Sequence, residues 1–368
     1  MRIVLTGGGT GGHIYPAVAV GRQLTQEDPA TKLLYIGTKK GLESRIVPEQ
    51  DIPFEAIDIT GFRRKLSFEN VRTVLRFLQG VRRSKKLLRE FKPDAVVGTG
   101  GYVCGPVVYA AAKLGIPTLV HEQNAIPGLT NRFLARYADV VAVSFKESER
   151  HFERAKRTVY AGNPCATHVL RASRSKGFAS LGLPDNSTVV LMVGGSRGAR
   201  AFNEAMIEMA PLLGRLKDVQ FVFVTGEIYY ERTTEQIKKV SAGPIPYLHL
   251  VPYLNNMPEV LAASTLVVSR SGASSLAEMT ALGMPSILIP SPNVTNNHQE
   301  ANARSLMEAG AAEMVLEREL SGPLLLERID TILKDKARLQ KMRTAAKRLG
   351  MPDSASILAG ELKRMKRK

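Results

Sequence analysis

The chain has only two cysteines, Cys104 and Cys165, with no C-x-x-C spacing, so neither a disulfide framework nor a zinc site is expected. Asp-x-Asp occurs nowhere, and a divalent metal is therefore not called for. No apolar run is long enough to span a bilayer. Nor does a secretory signal open the chain, which passes straight from Met1 into a strand-like stretch; a cytosolic protein is the expectation. Acid is scarce, 34 Asp and Glu standing against 51 Lys and Arg for a formal charge of +17. That excess comes without a recognisable nucleic-acid-binding motif or an aromatic-rich stacking surface, so nucleic acid is not an expected partner.

What is present is a repeated module. At 368 residues the chain exceeds the size at which a single core stops growing, and 44% apolar residues supply two cores. The apolar run Ile3-Val4-Leu5 reads as a buried strand, followed by Gly7-Gly8-Gly9-Thr10-Gly11-Gly12-His13 and a helical pattern through Ala17, Val18, Val20 and Leu24. A glycine loop between strand and helix points free N–H groups and the positive helix end at one place, which suits a phosphate or diphosphate. Gly7, Gly9 and Gly12 fit G-x-G-x-x-G, but the second strand runs into Thr38, Lys39 and Lys40 with no acid for a ribose, which disfavours NAD. No Gly-Lys-Ser/Thr follows, so a P-loop is excluded too. A turn that merely packs helix on strand explains one or two glycines, not five in six positions beside a histidine.

Short apolar runs at 33–36, 94–97, 117–120 and 139–143 alternate with helical patterns, which predicts a doubly wound α/β domain with ligands at the carboxyl ends of its strands. Two more features sit at such ends: Gly98-Thr99-Gly100-Gly101-Tyr102, a second glycine loop, and His121-Glu122-Gln123-Asn124, which reads either as a site or as solvated loop. Gly162-Asn163-Pro164 marks a turn between domains. The module then repeats: strand 188–193, loop Gly194-Gly195-Ser196-Arg197-Gly198-Ala199, and a helix from Phe202. A later strand ends at Val268 before Arg270-Ser271-Gly272-Ala273-Ser274-Ser275, whose residue types suit a helix start. Glu278, two turns in, can accept from the vicinal hydroxyls of a ribose; a surface ion pair is less apt, since Leu282 stands four residues on. The amide-rich loop ending in His298-Gln299 suits sugar hydroxyls.

Between Gly61 and Lys92 eleven basic residues, from Arg63, Arg64 and Lys65 to Arg89 and Lys92, interleave with apolar ones at helical spacing. The pattern serves equally as an anionic-membrane contact or as the solvated face of a packed helix.

Taken together, these motifs in this order resemble the GT-B glycosyltransferases, and among them the N-acetylglucosaminyltransferases of peptidoglycan synthesis that convert lipid I to lipid II. The resemblance spans the whole chain. It implies two Rossmann-like domains facing a cleft, 1–163 for the acceptor and membrane and 164–349 for the donor, with 350–368 able to return to the first. It places UDP-GlcNAc in the C-terminal half: Ser196 and the Arg270, Ser271, Gly272, Ala273, Ser274 and Ser275 loop at the diphosphate, Leu254 at the uracil, Glu278 at the ribose, and His298 and Gln299 at the sugar. Arg197 and Asn203 join that binding set. The lipid-linked muramoyl-pentapeptide diphosphate falls to Thr10, Gly11, Gly12, Gly100, Gly101 and Tyr102, with Asn124 reaching the donor sugar. Residues 63–89 become the contact with an anionic membrane, on the cytoplasmic face. In one departure, Cys165, Ala166 and Thr167 stand where the family often has a nucleotide-binding arginine after Gly-Asn-Pro, so that contact is either absent or supplied elsewhere, with Arg197 and Arg200 as the candidates.

The chemistry so implied is inverting: an acceptor hydroxyl attacks the anomeric carbon as UDP leaves, with helix dipoles and Arg270 answering the diphosphate and no cofactor. His13 and Glu122 are the candidate bases. Histidine's ordinary pKa of about 6.5 lies near working pH, which favours His13, although a phosphate hydrogen bond would suit it equally. A UDP-GlcNAc 2-epimerase and a non-enzymatic polyanion-binding protein are the rival readings.

Overall fold

A computed structural model of the chain describes residues 1–60, 68–195 and 198–365, without the side chains of 68–72. Arg63, Arg64, Lys65, Ser196 and Arg197 lie outside the described residues. The chain divides into two compact units, Met1–Thr167 with Met351–Lys368, and His168–Gly350. The division falls after Thr167, beyond the Gly162-Asn163-Pro164 turn, because the intervening residues are tied to the first unit. Asn163 Oδ1 accepts from the Cys165 amide at 3.1 Å. Thr167 Oγ1 donates to the Pro352 carbonyl at 2.8 Å and accepts from the Ala355 amide at 3.2 Å.

Among the described residues the first unit holds a seven-stranded sheet: β1 (Arg2–Thr6), β2 (Lys32–Thr38), β3 (Phe54–Ile57), β4 (Ala95–Gly98), β5 (Thr118–Glu122), β6 (Val140–Val143) and β7 (Thr158–Tyr160). Their spatial order is β3-β2-β1-β4-β5-β6-β7, every pairing parallel. Alternate side chains point to opposite faces, and both faces are buried, so the strands read as continuous apolar runs. Val4, Ile36, Val96, Val120 and Val141 pack on one side. Ile3, Leu5, Tyr35, Val97 and Leu119 pack on the other, beneath the helix Gly11–Glu27 and the last helix, Ser354–Met365, which contributes Leu358, Ala359 and Leu362. Lys363 of that helix donates to Glu27 at 2.6 Å.

The second unit repeats the plan with β8 (Thr188–Val193), β9 (Val219–Val224), β10 (Leu248–Val251), β11 (Leu266–Ser269), β12 (Ser286–Leu288) and β13 (Ala312–Met314), ordered β10-β9-β8-β11-β12-β13 and again parallel. Val190, Met192, Phe221, Phe223, Val268 and Ile287 form one core layer. In each unit the order reverses at one point, between β1 and β4 and between β8 and β11. A crevice opens at the carboxyl ends of the strands there, and ligands gather in it.

Candidate active site

At the first switch point the two glycine loops interlock. The Gly8 amide donates to the Gly100 carbonyl at 3.2 Å, and Thr99 Oγ1 donates to the His13 carbonyl at 2.6 Å. Gly101, at φ +81°, could not carry a side chain: its Cβ would lie 2.3 Å from the Gly8 carbonyl oxygen. The helix Gly11–Glu27 begins at this junction, so its first N–H groups, at Gly11 and Gly12, have no partner within the helix. His13 Nδ1 stands 2.9 Å from the Gly8 carbonyl, which only accepts. Nδ1 therefore carries the proton, and Nε2, lying against Gly100, is the basic nitrogen. Tyr102 is partly exposed beside Gly9.

The strand-end quartet is not a solvated loop. His121, Glu122 and Gln123 are fully buried, and only Asn124 is partly open. Glu122 Oε1 accepts from the Asn124 amide and side chain at 2.9 and 3.2 Å, and Oε2 from Gly128 N and Asn131 Nδ2 at 3.1 and 2.9 Å. A carboxylate engaged by four donors holds the 124–131 turn in place. His121 Nε2 donates to the Gly162 carbonyl at 2.8 Å, and burial pushes its pKa down to about 4, so it stays neutral.

In the second unit a cavity of about 470 Å³ opens at the carboxyl ends of β8 and β11. Two helices begin at its wall, Arg200–Met209 and Ala273–Leu282, and aim their N-termini inward. Gly198, at φ +72°, sits against β9, where a Cβ would lie 2.1 Å from the Thr225 carbonyl oxygen. Of the expected donor residues, Arg270, Gly272, Ser275 and Gln299 line the cavity, with Arg200 beside them. Arg270 does not present a bare charge. It is ion-paired with Glu317, donates to the Ile289 and Pro290 carbonyls at 3.1 and 3.3 Å, and lies over the Phe202 ring at 5.1 Å.

The remaining expected residues take supporting or neighbouring places. Ser271 is buried, its hydroxyl donating to the Gln299 carbonyl at 2.7 Å. Asn203 is buried as well: Nδ2 donates to the Ala199 and Thr225 carbonyls, and Oδ1 accepts from Thr233. Ser274 in the first helical turn has a buried hydroxyl with no hydrogen-bond partner among the described residues. His298 donates from Nδ1 to the Thr295 carbonyl at 2.7 Å, beside Asn296 and Asn297, both in the left-handed region. Leu254 follows β10 at its carboxyl end. Glu278 lies one turn beyond Ser275, on the same face of the helix. It has no hydrogen bond or ion pair among the described residues, and burial pushes its pKa up to about 7. A recessed carboxylate without a partner is suited to accept from a pair of ligand hydroxyls.

Ser291 and Asn293, from the amide-rich loop, also line the cavity, as do Glu317 and Tyr229, which were not anticipated. Glu317 follows β13, a strand whose residues Ala312-Glu313-Met314 carry no apolar run. Had β13 been recognised, the strand-end rule would have flagged Glu317.

Two doubly wound sheets, each with a glycine loop at its switch point, and a nucleotide-sized cavity walled by helix N-termini are the marks of a GT-B glycosyltransferase. The pattern described as "Glycosyltransferase family 28 N-terminal domain" matches residues 3–143, and "Glycosyltransferase family 28 C-terminal domain" matches 189–358. The chain belongs to glycosyltransferase family 28. It is 55% identical over 358 residues to the "UDP-N-acetylglucosamine--N-acetylmuramyl-(pentapeptide) pyrophosphoryl-undecaprenol N-acetylglucosamine transferase" of Halalkalibacterium halodurans, covering 97% of this chain and 98% of the relative. The crystal structure of Acinetobacter baumannii MurG superposes with a TM-score of 0.79 at 30% identity, covering 99% of each chain. A UDP-N-acetylglucosamine 2-epimerase described as putative, from Listeria monocytogenes, matches with a TM-score of 0.72 at 16% identity over 98% of this chain and 95% of its own, a likeness of fold alone.

Proposed function

We propose that the two units divide one reaction between them, the second holding the nucleotide sugar and the first the lipid-linked acceptor. The chain transfers N-acetylglucosamine from UDP-GlcNAc to the 4-hydroxyl of muramoyl-pentapeptide on undecaprenyl diphosphate, turning lipid I into lipid II. The donor assignment rests on the cavity walled by two helix N-termini and on the Glu278 carboxylate one turn along the Ala273–Leu282 helix from the lining residue Ser275, without a hydrogen bond or ion pair among the described residues. The diphosphate lies against the amides of Gly272 and Ser275 and of the Ala199–Ala201 turn, and Glu278 takes the ribose hydroxyls. Gln299 and His298 face the amino-sugar.

In the first unit the acceptor diphosphate binds at Thr10, Gly11 and Gly12, flanked by Gly100, Gly101 and Tyr102. His13 is the base: its Nε2 takes the proton of the attacking hydroxyl while Nδ1–H stays on Gly8. Glu122 positions Asn124 and is not itself the base. The leaving UDP is stabilised by helix dipoles, Arg270 being partly neutralised by Glu317.

The acceptor's lipid tail calls for a membrane contact. No helix among the described residues is long and apolar enough to cross a membrane. On the helix Phe68–Phe91, Val74, Leu75 and Leu78 are exposed, and one to three turns on stand exposed Arg82, Arg83, Lys86 and Arg89. Phe77 packs at 6.2 Å on Phe133 of the helix Leu129–Leu134, where Leu129 is 67% exposed. An apolar patch rimmed by cations suits an anionic leaflet, with the enzyme resting on the cytoplasmic face.

The reading is tested by supplying radiolabelled UDP-GlcNAc with and without a lipid-linked muramoyl-pentapeptide. Label should enter the lipid only when that acceptor is present. Release of the 2-epimer from UDP-GlcNAc alone would overturn the reading.

A further inference from the structure

Beneath the opening glycine loop lies a buried acid that the acceptor reading leaves unused. Glu43 begins the short helix Glu43–Ile46 and has no exposed surface. Its Oε1 accepts from Thr38 N at 3.1 Å and Thr38 Oγ1 at 2.6 Å, and its Oε2 accepts from Gly9 N at 3.1 Å. No cation pairs with it among the described residues. Three glycines make room for it: a Cβ on Gly8, Gly37 or Gly41 would approach its side chain to 2.6, 2.7 or 2.2 Å. Burying a carboxylate without a counter-charge is costly unless hydrogen bonds engage it, and here one of the three comes from the very loop whose amides are shaped for phosphate. Gly9 N–H is thus occupied from within the protein.

We propose that Glu43 is a positioning residue for the transfer. By taking the Gly9 amide it confines the acceptor diphosphate to the helix N-terminus at Gly11 and Gly12. By fixing Gly9 it also fixes the neighbouring Gly8, whose carbonyl accepts from His13 Nδ1 at 2.9 Å and whose amide reaches the Gly100 carbonyl at 3.2 Å. The chain of contacts from Glu43 through Gly9 and Gly8 to His13 sets which imidazole nitrogen is basic and where it points. The proposal rests on the reading of the first unit as the acceptor unit.

The test is Glu43→Gln in the full chain, with the kinetics of the lipid acceptor and of UDP-GlcNAc measured separately. An amide has one oxygen, so its NH2 group must confront either the Gly9 or the Thr38 donor. The expected result is at least a tenfold fall in kcat/KM for the acceptor, a KM for UDP-GlcNAc within twofold, and a shift of at least half a unit in the pH midpoint of kcat. Thr38→Val removes only one hydrogen bond and should move the same parameters less; if Glu43→Gln does not fold, this milder variant decides. Donor and acceptor parameters falling together, in step with loss of folded protein, would make Glu43 merely structural and overturn the proposal. Unchanged acceptor kinetics in the Glu43 variant alongside a raised acceptor KM in Gly12→Ala would overturn it while leaving the acceptor unit in place. If Gly12→Ala also left the acceptor KM untouched, the acceptor reading would fall and the proposal with it.

Discussion

The hydroxyl of Ser271 donates to the backbone carbonyl of Gln299 at 2.7 Å, and Asn302 Nδ2 closes on the Ser271 carbonyl at 3.1 Å. The segment that begins the helix Ala273–Leu282 is therefore bolted to the segment that begins His298–Glu308. On the proposed donor reading one of these segments faces a diphosphate and the other an amino-sugar, so their spacing must match the donor. A buried hydroxyl and a buried amide set it, and neither needs to touch the ligand.

With Glu278 at the ribose, as proposed, donor binding is expected to depend on pH with a definite sign. Its carboxyl holds a proton to about pH 7 in the folded chain, against an ordinary 4.5. Two ribose hydroxyls need the ionised form, so UDP affinity should rise about tenfold from pH 6 to pH 8 as one proton is shed. Glu278→Gln should flatten that profile and raise the KM for UDP-GlcNAc roughly 10–100-fold. The free enzyme goes the other way. The unfolded chain releases this proton at about 4.5, so the group lowers native stability as pH climbs from there towards 7. The glutamine variant should consequently gain in thermal midpoint over wild type at pH 8 and not at pH 4. Isothermal titration with UDP and melting curves at several pH values check both.

The two base candidates separate on stability. Glu122→Ala removes the acceptor of four hydrogen bonds and should cost roughly 3 kcal/mol in urea denaturation, with activity falling through the loss of the 124–131 turn. His13→Ala, at a half-exposed ring, should cost under about 1 kcal/mol and lower kcat by roughly 100-fold or more, with little change in the KM for UDP-GlcNAc. A Glu122 variant of normal stability with the larger kcat loss would reverse the roles.

The central strands and the glycine loops were legible because strands buried on two faces leave continuous apolar text, and loops that approach backbone need glycine. The edge strands β3 and β13 were not, since Phe-Glu-Ala-Ile and Ala-Glu-Met carry an acid in the middle and are buried less completely. Burial decided the rest. Nothing in His-Glu-Gln-Asn tells a solvated loop from a packed network; Glu122 and His121 are inside because Asn131, Gly128 and Gly162 come back to meet them from later in the chain. Glu43 escaped notice for the same reason, its partners being Thr38 and Gly9.

The exposed apolar side chains on the helix Phe68–Phe91 predict how the enzyme meets lipid. Leu75→Ser with Leu78→Ser removes two exposed aliphatic groups and should lower partition into vesicles containing anionic lipid by about tenfold or more. Transfer to a soluble acceptor in detergent should stay near wild type, because neither leucine is among the residues assigned to either substrate. Raising salt should weaken wild-type binding through Arg82, Arg83, Lys86 and Arg89, leaving the residual apolar part. Sedimentation with vesicles at two ionic strengths measures both terms.

With the donor diphosphate placed as proposed, Glu317 is expected to tune the charge that the leaving group meets. Its carboxylate pairs with Arg270, while the Ile289 and Pro290 carbonyls and the Phe202 ring hold the guanidinium independently. In Glu317→Gln the arginine should therefore stay in place with its charge unanswered, raising the potential at the cavity wall. UDP, with its full diphosphate charge, should gain more from this than UDP-GlcNAc. Its inhibition constant should fall by about 3–10-fold, an effect of the size seen for one partly screened charge, and the gain should shrink as salt is added. Where product release limits turnover, kcat should drop while single-turnover transfer holds or quickens. Product-inhibition constants at two salt concentrations, set beside a single-turnover measurement, distinguish this from simple disruption of Arg270, which would weaken UDP instead.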